Sequence, residues 1–187
     1  MSNANGLGGT PAWTQLSPSG GPPTGQSEAS VVYDPANNIL IEFGGATHDF
    51  IRYTNSVWTL SHANGLGGTP AWTKLIANGA AGSPPKRGLH IAAYDDANNR
   101  MMIFGGNTDT TTGFPERNDV WVLANANGLG GKPQWNKLKS SGSKPDGRAA
   151  HVGAYDSADN RLIVYGGGSW EAFFFSTWVL TGANGMP

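Results

Sequence analysis

The sequence contains no cysteine and few charged residues. Its 187 residues include only 13% Asp, Glu, Lys and Arg, against a usual share of ~25% in soluble domains. The missing cysteines exclude disulfides, thiolate nucleophiles and cysteine-bound metals. The 12 Lys and Arg nearly balance the 13 Asp and Glu, so no basic surface is predicted for nucleic acid or for an anionic membrane. We therefore expect neither as a partner.

Long apolar runs and catalytic motifs are also missing. No stretch approaches the ~18 apolar residues of a membrane span, and no signal-peptide pattern opens the sequence. Because the repeat described below begins within the first residues, the compartment stays undecided. There is no nucleophile elbow, P-loop or His-Glu-x-x-His motif. The four histidines, at positions 48, 62, 90 and 151, lack metal-ligand spacing, so we expect no metal and no cofactor.

Turn-forming residues are what the sequence has in abundance. It contains 28 Gly and 12 Pro beside 38% apolar residues. These proportions predict many short strands, joined by tight turns, around a real core.

Four landmarks recur three times along the sequence, which indicates an internal repeat of about sixty residues. Tyr33 recurs as Tyr94 and Tyr155, a spacing of 61 residues both times. The first copies of the landmarks are Ala12-Trp13-Thr14-Gln15-Leu16, Val32-Tyr33-Asp34, Phe43-Gly44-Gly45 and Val57-Trp58-Thr59-Leu60. Three matched copies are not expected by chance.

Each copy predicts four strands, a to d. In the first copy we expect them at residues 30–33, 39–43, 57–60 and 72–75. The Asp and Asn residues between strands a and b are typical of a hairpin turn. Strand b is nearly all apolar, which is typical of a sheet covered on both faces. Such a small sheet needs neighbours on both sides, as stacked or radial blades provide.

With these features the sequence resembles the Kelch-repeat family. The resemblance rests on the Gly-Gly after strand b, on the downstream aromatic in Asn118-Asp119-Val120-Trp121, and on the closing segment Trp72-Thr73-Lys74-Leu75. It covers essentially the whole chain. It implies an all-β fold of four-stranded antiparallel propeller blades, although a fold alone does not give a function.

The order of the strands predicts an incomplete ring. A spare strand d at residues 12–16 comes first, and the third copy ends after strand c. The resemblance implies that such a terminal strand completes the last blade in closed Kelch propellers and thereby removes exposed strand edges. We divide the single domain, 1–187, into a clasp strand with its linker (1–27), blade 1 (28–75), blade 2 (76–138) and blade 3 (139–187), which lacks its outer strand.

Three blades are too few to close a ring, because propellers typically hold 4–8. We expect two chains to exchange clasp strands and form a six-bladed homodimer, and we favour this over a fragment of a longer chain.

Glu42 occupies a strand b position where the other copies have Ile103 and Val164. A carboxylate there is unfavourable unless paired or solvated, so structural pairing, an interface role and ligand binding all stay open. The candidate interface residues are Trp13, Leu16, Glu42 and Trp178.

Strand direction predicts two rims. The a–b and c–d loops share one rim with repeated Ala-Asn-Gly-Leu-Gly-Gly segments, which we expect to be architectural, with Leu7, Leu66 and Leu129 as plugs. The b–c and d–a loops share the other, where the copies differ, and variable loops on a rigid scaffold usually carry binding. Its aromatic residues suit a protein or a sugar face. The candidate ligand-binding residues are Arg87, Arg148, His48, Tyr53, Arg117, Trp170 and Glu171.

Several of these residues have a second interpretation. Arg87 and Arg148 enter strand a at matched positions. The Kelch resemblance implies that arginines there can face the channel and bind acidic ligands, whereas the plainer alternative is that each caps loop carbonyls. We expect His90 and His151 to be packing histidines with a backbone hydrogen bond. The phenylalanines at positions 114 and 173–175 either bind a ligand or fill a rim cluster.

We therefore interpret the chain as a non-catalytic scaffold for binding and assembly, with a protein or carbohydrate ligand at the variable rim. One alternative is a sugar-acid isomerase or epimerase that uses the arginine and histidine mouth, since some Kelch-like propellers are enzymes. A copper oxidase of this kind needs a cysteine-linked tyrosine, which a cysteine-free chain cannot form. The other alternative is a purely architectural half-propeller that self-assembles.

Overall fold

The computed structural model describes residues 8–23, 27–47, 52–108, 113 and 115–186, and within these ranges every helix or strand element is a β-strand. Blade 1 contains β1 (Ser30–Asp34), β2 (Ile39–Phe43), β3 (Val57–Ser61) and β4 (Ala71–Ile76). Blade 2 contains β5 (Arg87–Gly88), β6 (Ile91–Asp95), β7 (Arg100–Phe104), β8 (Asn107–Thr108), β9 (Val120–Ala124) and β10 (Gln134–Lys137). Blade 3 contains β11 (Val152–Asp156), β12 (Arg161–Tyr165) and β13 (Thr177–Thr181).

The blades are antiparallel sheets, as predicted. Blade 1 has the order β1-β2-β3-β4, blade 2 the order β6-β7-β9-β10, and blade 3 the three-stranded order β11-β12-β13. The predicted strands are confirmed to within a residue or two at their ends. A small sheet of β5 and β8, at the entrance of blade 2, was not predicted.

The predicted clasp strand at residues 12–16 is not a strand in the single chain. Residues 13–18 have no regular structure, and this segment meets blade 1 through a parallel bridge between Ser19 and Ala71. A strand needs a neighbour for its backbone hydrogen bonds. No strand of the described residues pairs with residues 13–16, so they form no part of a sheet.

The hairpin turns between the first two strands of each blade follow from their Asp and Asn residues. Asn38, Asn99 and Asn160 have φ values of 53°, 50° and 51°, in the left-handed region that Asn tolerates. Asp34 Oδ1 accepts hydrogen bonds from the amides of Ala36 and Asn37. These contacts fix the register of each hairpin.

The core lies between the blades. Met101 and Ile103 of β7 pack with Ile41 and Phe43 of blade 1, whereas Met102 faces blade 3. The second cluster also contains Phe104, Val120, Val122, Leu162 and Val164. Because alternate residues of a strand point to opposite faces, a strand with neighbours on both sides must be apolar throughout. This explains the apolar composition of β7.

Buried hydrogen bonds join each blade to the next at the rim that carries the repeated Asn and Asp residues. Asp34 Oδ2 of blade 1 accepts from Asn127 Nδ2 at 2.7 Å and from the Tyr94 hydroxyl at 3.3 Å, both of blade 2. Burial acts to raise the pKa of Asp34, but these hydrogen bonds and those from Asn37 outweigh it and lower the pKa. The charged carboxylate is therefore the stable form inside the seam.

Blades 2 and 3 repeat this contact, which gives the rim its architectural role. Asp95 Oδ2 accepts from Asn184 Nδ2 at 2.7 Å and from the Tyr155 hydroxyl at 3.4 Å. The leucine plugs predicted for this rim are wrong: Leu66 is 70% exposed and Leu129 49%, and Leu7 lies outside the described residues. Asn127 and Asn184, the asparagines of the Ala-Asn-Gly segments in blades 2 and 3, make the buried contacts instead.

The Gly-Gly pair after the second strand of each blade is required by close approach to the next blade. Gly105 has a φ of 68°, and a Cβ there would lie 2.8 Å from the Arg148 carbonyl oxygen. The amide of Gly106 donates to the same carbonyl at 2.8 Å. A side chain at Gly105 would therefore push blades 2 and 3 apart.

Candidate functional site

Arg87 is fully buried at the entrance of blade 2 and is used by the fold. Its guanidinium donates to the Gly105 carbonyl oxygen at 2.9 Å and to Asp119 Oδ1 at 2.8 Å. Burial acts to raise the pKa of Asp119, but the hydrogen bond and the charge of Arg87 lower it below its ordinary value. This ion pair ties the start of blade 2 to the start of β9.

Arg148 has the matching place in blade 3 and is 1% exposed. It donates to the carbonyl oxygens of Gly166 and Asp146 at 2.9 and 3.2 Å, and its guanidinium lies 4.5 Å from the ring centre of Phe174. Burial lowers its pKa. Neither arginine is accessible to a ligand, so the structure does not support the predicted anion site and supports the carbonyl-capping alternative.

His90 and His151 pack in the seams, as expected. Each ring lies edge-on against a phenylalanine, His90 at 5.1 Å from Phe43 and His151 at 5.2 Å from Phe104. His90 Nε2 lies 2.6 Å from the Ser30 hydroxyl, a side-chain partner in the preceding blade. Burial first, and the charge of Arg87 second, lower the pKa of His90 to about 3. Burial is also the main cause that lowers the pKa of His151 to about 4.

Glu42 is buried on the face of blade 1 that points away from blade 2. It is 4% exposed, and among the described residues its Oε2 atom has no hydrogen-bond partner. Burial raises the pKa of Glu42 to about 8, so the protonated form predominates at neutral pH. A structural pairing of Oε2 is not present, and the interface role stays a prediction.

The other rim candidates differ in their exposure. The Tyr53 ring is buried and its hydroxyl donates to Glu28 Oε2 at 2.9 Å. Arg117 is half-buried, with Nε donating to the Thr108 hydroxyl at 2.9 Å. His48 and Phe114 lie outside the described residues. Tyr53 and Arg117 therefore brace the loops of the rim, while Trp170 and Glu171 are exposed.

Trp170 projects from a loop whose backbone is held in place. The ring is 96% exposed. Its amide donates to Glu116 Oε1 of blade 2 at 2.8 Å, and the Ser169 hydroxyl accepts from the amides of Glu171 and Ala172. The loop therefore holds an aromatic side chain in solvent at low conformational freedom.

A groove of about 560 Å³ runs beside this loop on the rim of blade 3. Its walls include Trp170, Phe173, Phe175 and Tyr165, with Glu116 at one side. Phe173 is 84% exposed. Phe174 is half-buried against Arg148, so one phenylalanine of the run fills the rim and its two neighbours face solvent. The arrangement offers apolar contact area next to a carboxylate.

The described residues contain no group of three or more His, Asp or Glu side chains placed to hold a metal ion. The same part of the chain contains no helix long and apolar enough to cross a membrane.

Comparison with known families agrees with this architecture. The family model described as the KLHDC2/KLHL20/DRC7 Kelch-repeats domain matches residues 9–184, nearly the whole chain. The chain belongs to the Kelch-repeat family. Kelch-repeat domains are typically non-enzymatic and mediate protein interactions, so a non-catalytic protein-binding scaffold is the function that the family supports.

The two end faces of the Kelch blades expose apolar residues. On blade 3, β11 to β13 present Val152, Ile163, Tyr165 and Val179 to solvent. On blade 1, Val31 and Tyr33 of β1 are exposed. Of the predicted interface residues, Trp13 is exposed, while Leu16 and Trp178 are half-buried. Large apolar patches of this kind mark surfaces that another molecule covers.

Two features of the Kelch site were missed by sequence reasoning. Glu116, which fixes the Trp170 loop, lies 54 residues away in the chain, and no repeat spacing points to it. The Asp–Asn–Tyr contact between blades was also missed, although its three residue types recur in every copy. That shared period was the signal that could have found it.

Proposed function

We propose that this Kelch chain binds a protein partner at the rim groove of blade 3, and that two copies close one six-bladed ring. The binding proposal rests on one observation: Trp170 and Phe173 stand exposed beside a groove on a loop with a fixed backbone. Exposed aromatic side chains lose unfavourable contact with water on binding, and they are enriched among the residues that dominate binding energy.

The lining of the groove favours a particular partner chemistry. Its aromatic walls suit an apolar or aromatic side chain, and Glu116 with the exposed Glu171 suits a Lys or Arg close to it. A protein segment combines these groups. A carbohydrate remains an outcome of the test, because aromatic rings also stack on sugar faces.

The test uses a protein and glycan array probed with the purified chain. Replacing both Trp170 and Phe173 by Ala should weaken binding at least ~30-fold, the scale of a hot-spot loss. Leu66→Ala changes an exposed residue on the opposite rim and serves as the control. Binding that survives the double substitution, or that is lost with Leu66→Ala, would contradict the rim assignment. Binding to glycans alone would contradict the protein partner.

The isomerase alternative gains no support from the site. It depends on an accessible mouth of Arg87, Arg148, His90 and His151, and all four side chains are buried. Both histidines are neutral at pH 7, and both arginines bind backbone carbonyls.

The proposal of a ring rests on contacts left over at the two ends. Each internal seam joins an Asp of one blade to a Tyr and an Asn of the next. Within the described residues, no blade follows Asp156 of blade 3, and none precedes Tyr33 and Asn64 of blade 1. A second copy placed head to tail supplies both, and a head-to-tail contact that closes produces a ring.

Tyr33→Phe tests this contact by removing one hydroxyl. Its loss should raise the dimer dissociation constant about tenfold, since a net hydrogen bond contributes roughly 0.5–1.5 kcal/mol at each of two seams. Analytical ultracentrifugation measures the constant. Tyr94→Phe is the control, because that hydroxyl acts within one chain and should lower stability without changing assembly. An unchanged constant for Tyr33→Phe would count against the ring.

A further inference from the structure

The outer strands of blades 1 and 2 differ in what lies along their outer edges. In blade 1, Ser19 forms a parallel bridge with Ala71 of β4. The Ser19 amide donates to the Pro70 carbonyl oxygen at 3.1 Å, and the Trp72 amide donates to the Ser19 carbonyl oxygen at 2.9 Å. In blade 2, none of the described residues pairs with the outer edge of β10. The chain therefore covers one edge itself and leaves the matching edge uncovered.

The backbone at the start of β10 presents the same two hydrogen-bonding groups as that of β4. Trp135 is the repeat counterpart of Trp72, and the two stand in the same register to β9 and β3. Because the amides along an antiparallel strand point alternately towards and away from the neighbouring strand, the Trp135 amide points away from β9. Pro133 takes the place of Pro70. Within the described residues, neither the Trp135 amide nor the Pro133 carbonyl oxygen has a backbone partner on that outer side.

A groove of about 520 Å³, which we call the β10 groove, is lined by these two residues. One wall is the start of β10 with Pro133. The other wall includes Ala77, Ala80 and Ala81 of the segment that connects blades 1 and 2. Their small side chains leave room for a peptide backbone beside the strand. A sheet edge with space next to it is the arrangement to which an extended peptide adds as a further strand.

The connecting segment does not cover this edge because Asn55 holds it elsewhere. In the repeat, Asn78 occupies the position of Ser19. Asn78 Oδ1 accepts from the Asn55 amide at 3.3 Å, and the Gly79 amide donates to Asn55 Oδ1 at 2.7 Å. Asn55 Nδ2 also donates to the Pro84 carbonyl oxygen at 2.7 Å. These three bonds tie the segment to blade 1 and leave the edge of β10 open.

We propose that the β10 groove binds an extended peptide segment of a partner protein, parallel to β10. Ser19 beside β4 shows the geometry. The peptide residue opposite Gln134 donates its amide to the Pro133 carbonyl oxygen, and its own carbonyl oxygen accepts from the Trp135 amide. This site lies at the outer edge of blade 2 and is separate from the rim groove of blade 3.

The segment beside β4 also indicates the chemistry of such a peptide. Gly20 has a φ of 82°, and a Cβ there would collide with the Trp72 carbonyl oxygen. The peptide residue after the paired one must therefore be glycine. Residues 17–23 read Ser-Pro-Ser-Gly-Gly-Pro-Pro, and prolines keep a free peptide extended, which reduces the entropy lost on binding. A small residue followed by glycine, with prolines on either side, is the sequence that fits.

A synthetic peptide with the sequence of residues 17–23 tests this site, with the backbone amides of the chain followed by NMR. Binding should shift the Trp135 amide resonance. It should also slow hydrogen exchange of that amide about tenfold when free peptide is at ~10 times its dissociation constant, because only the unbound fraction then exchanges. The Trp72 amide should not change, since Ser19 already accepts from it. A peptide carrying Gly20→Val is the matched control and should give no shift.

Two variants of the chain distinguish the β10 groove from the rim groove. Ala81→Trp places a large side chain at an exposed position in the wall and should abolish the Trp135 shift. Trp170→Ala should leave that shift unchanged. The inference is overturned by an absent Trp135 shift at millimolar peptide, by an equal shift with the Gly20→Val peptide, or by a shift that Ala81→Trp does not remove. A shift confined to residues beside Trp170 would also overturn it and would leave the rim proposal standing.

Discussion

At the scale of residues, burial decides which conspicuous side chains serve the fold and which face a partner. Arg87 and Trp170 both lie near the variable rim. Arg87 is bonded to a carboxylate and to backbone carbonyls, whereas Trp170 has its amide held and its ring free in solvent. By residue type alone, Arg87 and Trp170 were equal candidates for ligand binding. Their environments make Arg87 a brace within blade 2, whereas Trp170 stays the proposed binding residue.

Glu42 predicts a pH dependence of stability. Its pKa is raised from 4.5 to about 8, so the folded chain holds a proton that the unfolded chain releases, and stability falls as pH rises through this window. Glu42→Gln abolishes the titration. Relative to wild type, its free energy of unfolding should rise by about 1 kcal/mol per pH unit between roughly pH 5 and 8.

Urea unfolding at several pH values measures this difference. His90 and His151, with lowered pKa values, contribute stability above pH 6.5 that is lost as pH falls, but they do so equally in both proteins and cancel. Glu171→Gln, which makes the same change at an exposed position, is the control. A difference between Glu42→Gln and wild type that is flat with pH would show that Glu42 is ionised in the folded chain.

At the scale of elements, the blades could be predicted from sequence because the residue pattern within each strand and the spacing of the repeats indicate the same strands. Tyr33, Tyr94 and Tyr155 mark the first strand of each blade at one spacing, and β7 is apolar because Met101 and Met102 face different neighbours. The contact between Asp34 and Asn127 could not be read from pattern alone, since it joins residues 93 positions apart. The clasp strand predicted at residues 12–16 is absent from the described structure, in which no strand pairs with residues 13–16.

Asn127 and Asn64 occupy matched positions in blades 2 and 1, and they allow the hydrogen bond between blades to be tested inside and at the end of the chain. Asn127→Ala leaves the Asp34 carboxylate with one fewer buried donor and should lower the free energy of unfolding by about 1–3 kcal/mol at any protein concentration. Asn64→Ala removes the same donor from an end face, together with the bonds that Asn64 Oδ1 accepts from Asn38 and Leu66 in its own chain. Its effect should therefore be smaller than that of Asn127→Ala in dilute protein and should grow where copies associate. Unfolding curves at low and high protein concentration distinguish the two. Equal effects at both concentrations would contradict this division.

At the scale of the whole molecule, the described residues form three Kelch blades, and the proposed ring joins the end blades of two copies. In that proposal Tyr33 of blade 1 lies at one end and Asp156 of blade 3 at the other. The number of blades could be predicted from the repeat, whereas the proposed contact between copies needed the geometry of the two internal seams. The proposed ring would contain two copies and therefore two rim grooves.

The mass of the wild-type chain in solution tests this account most directly. Light scattering coupled to size-exclusion chromatography, at micromolar concentration, should give twice the 19.5 kDa chain mass, because closing two seams buries apolar end faces that one chain leaves in water. A folded, soluble species of 19.5 kDa under the same conditions would contradict it.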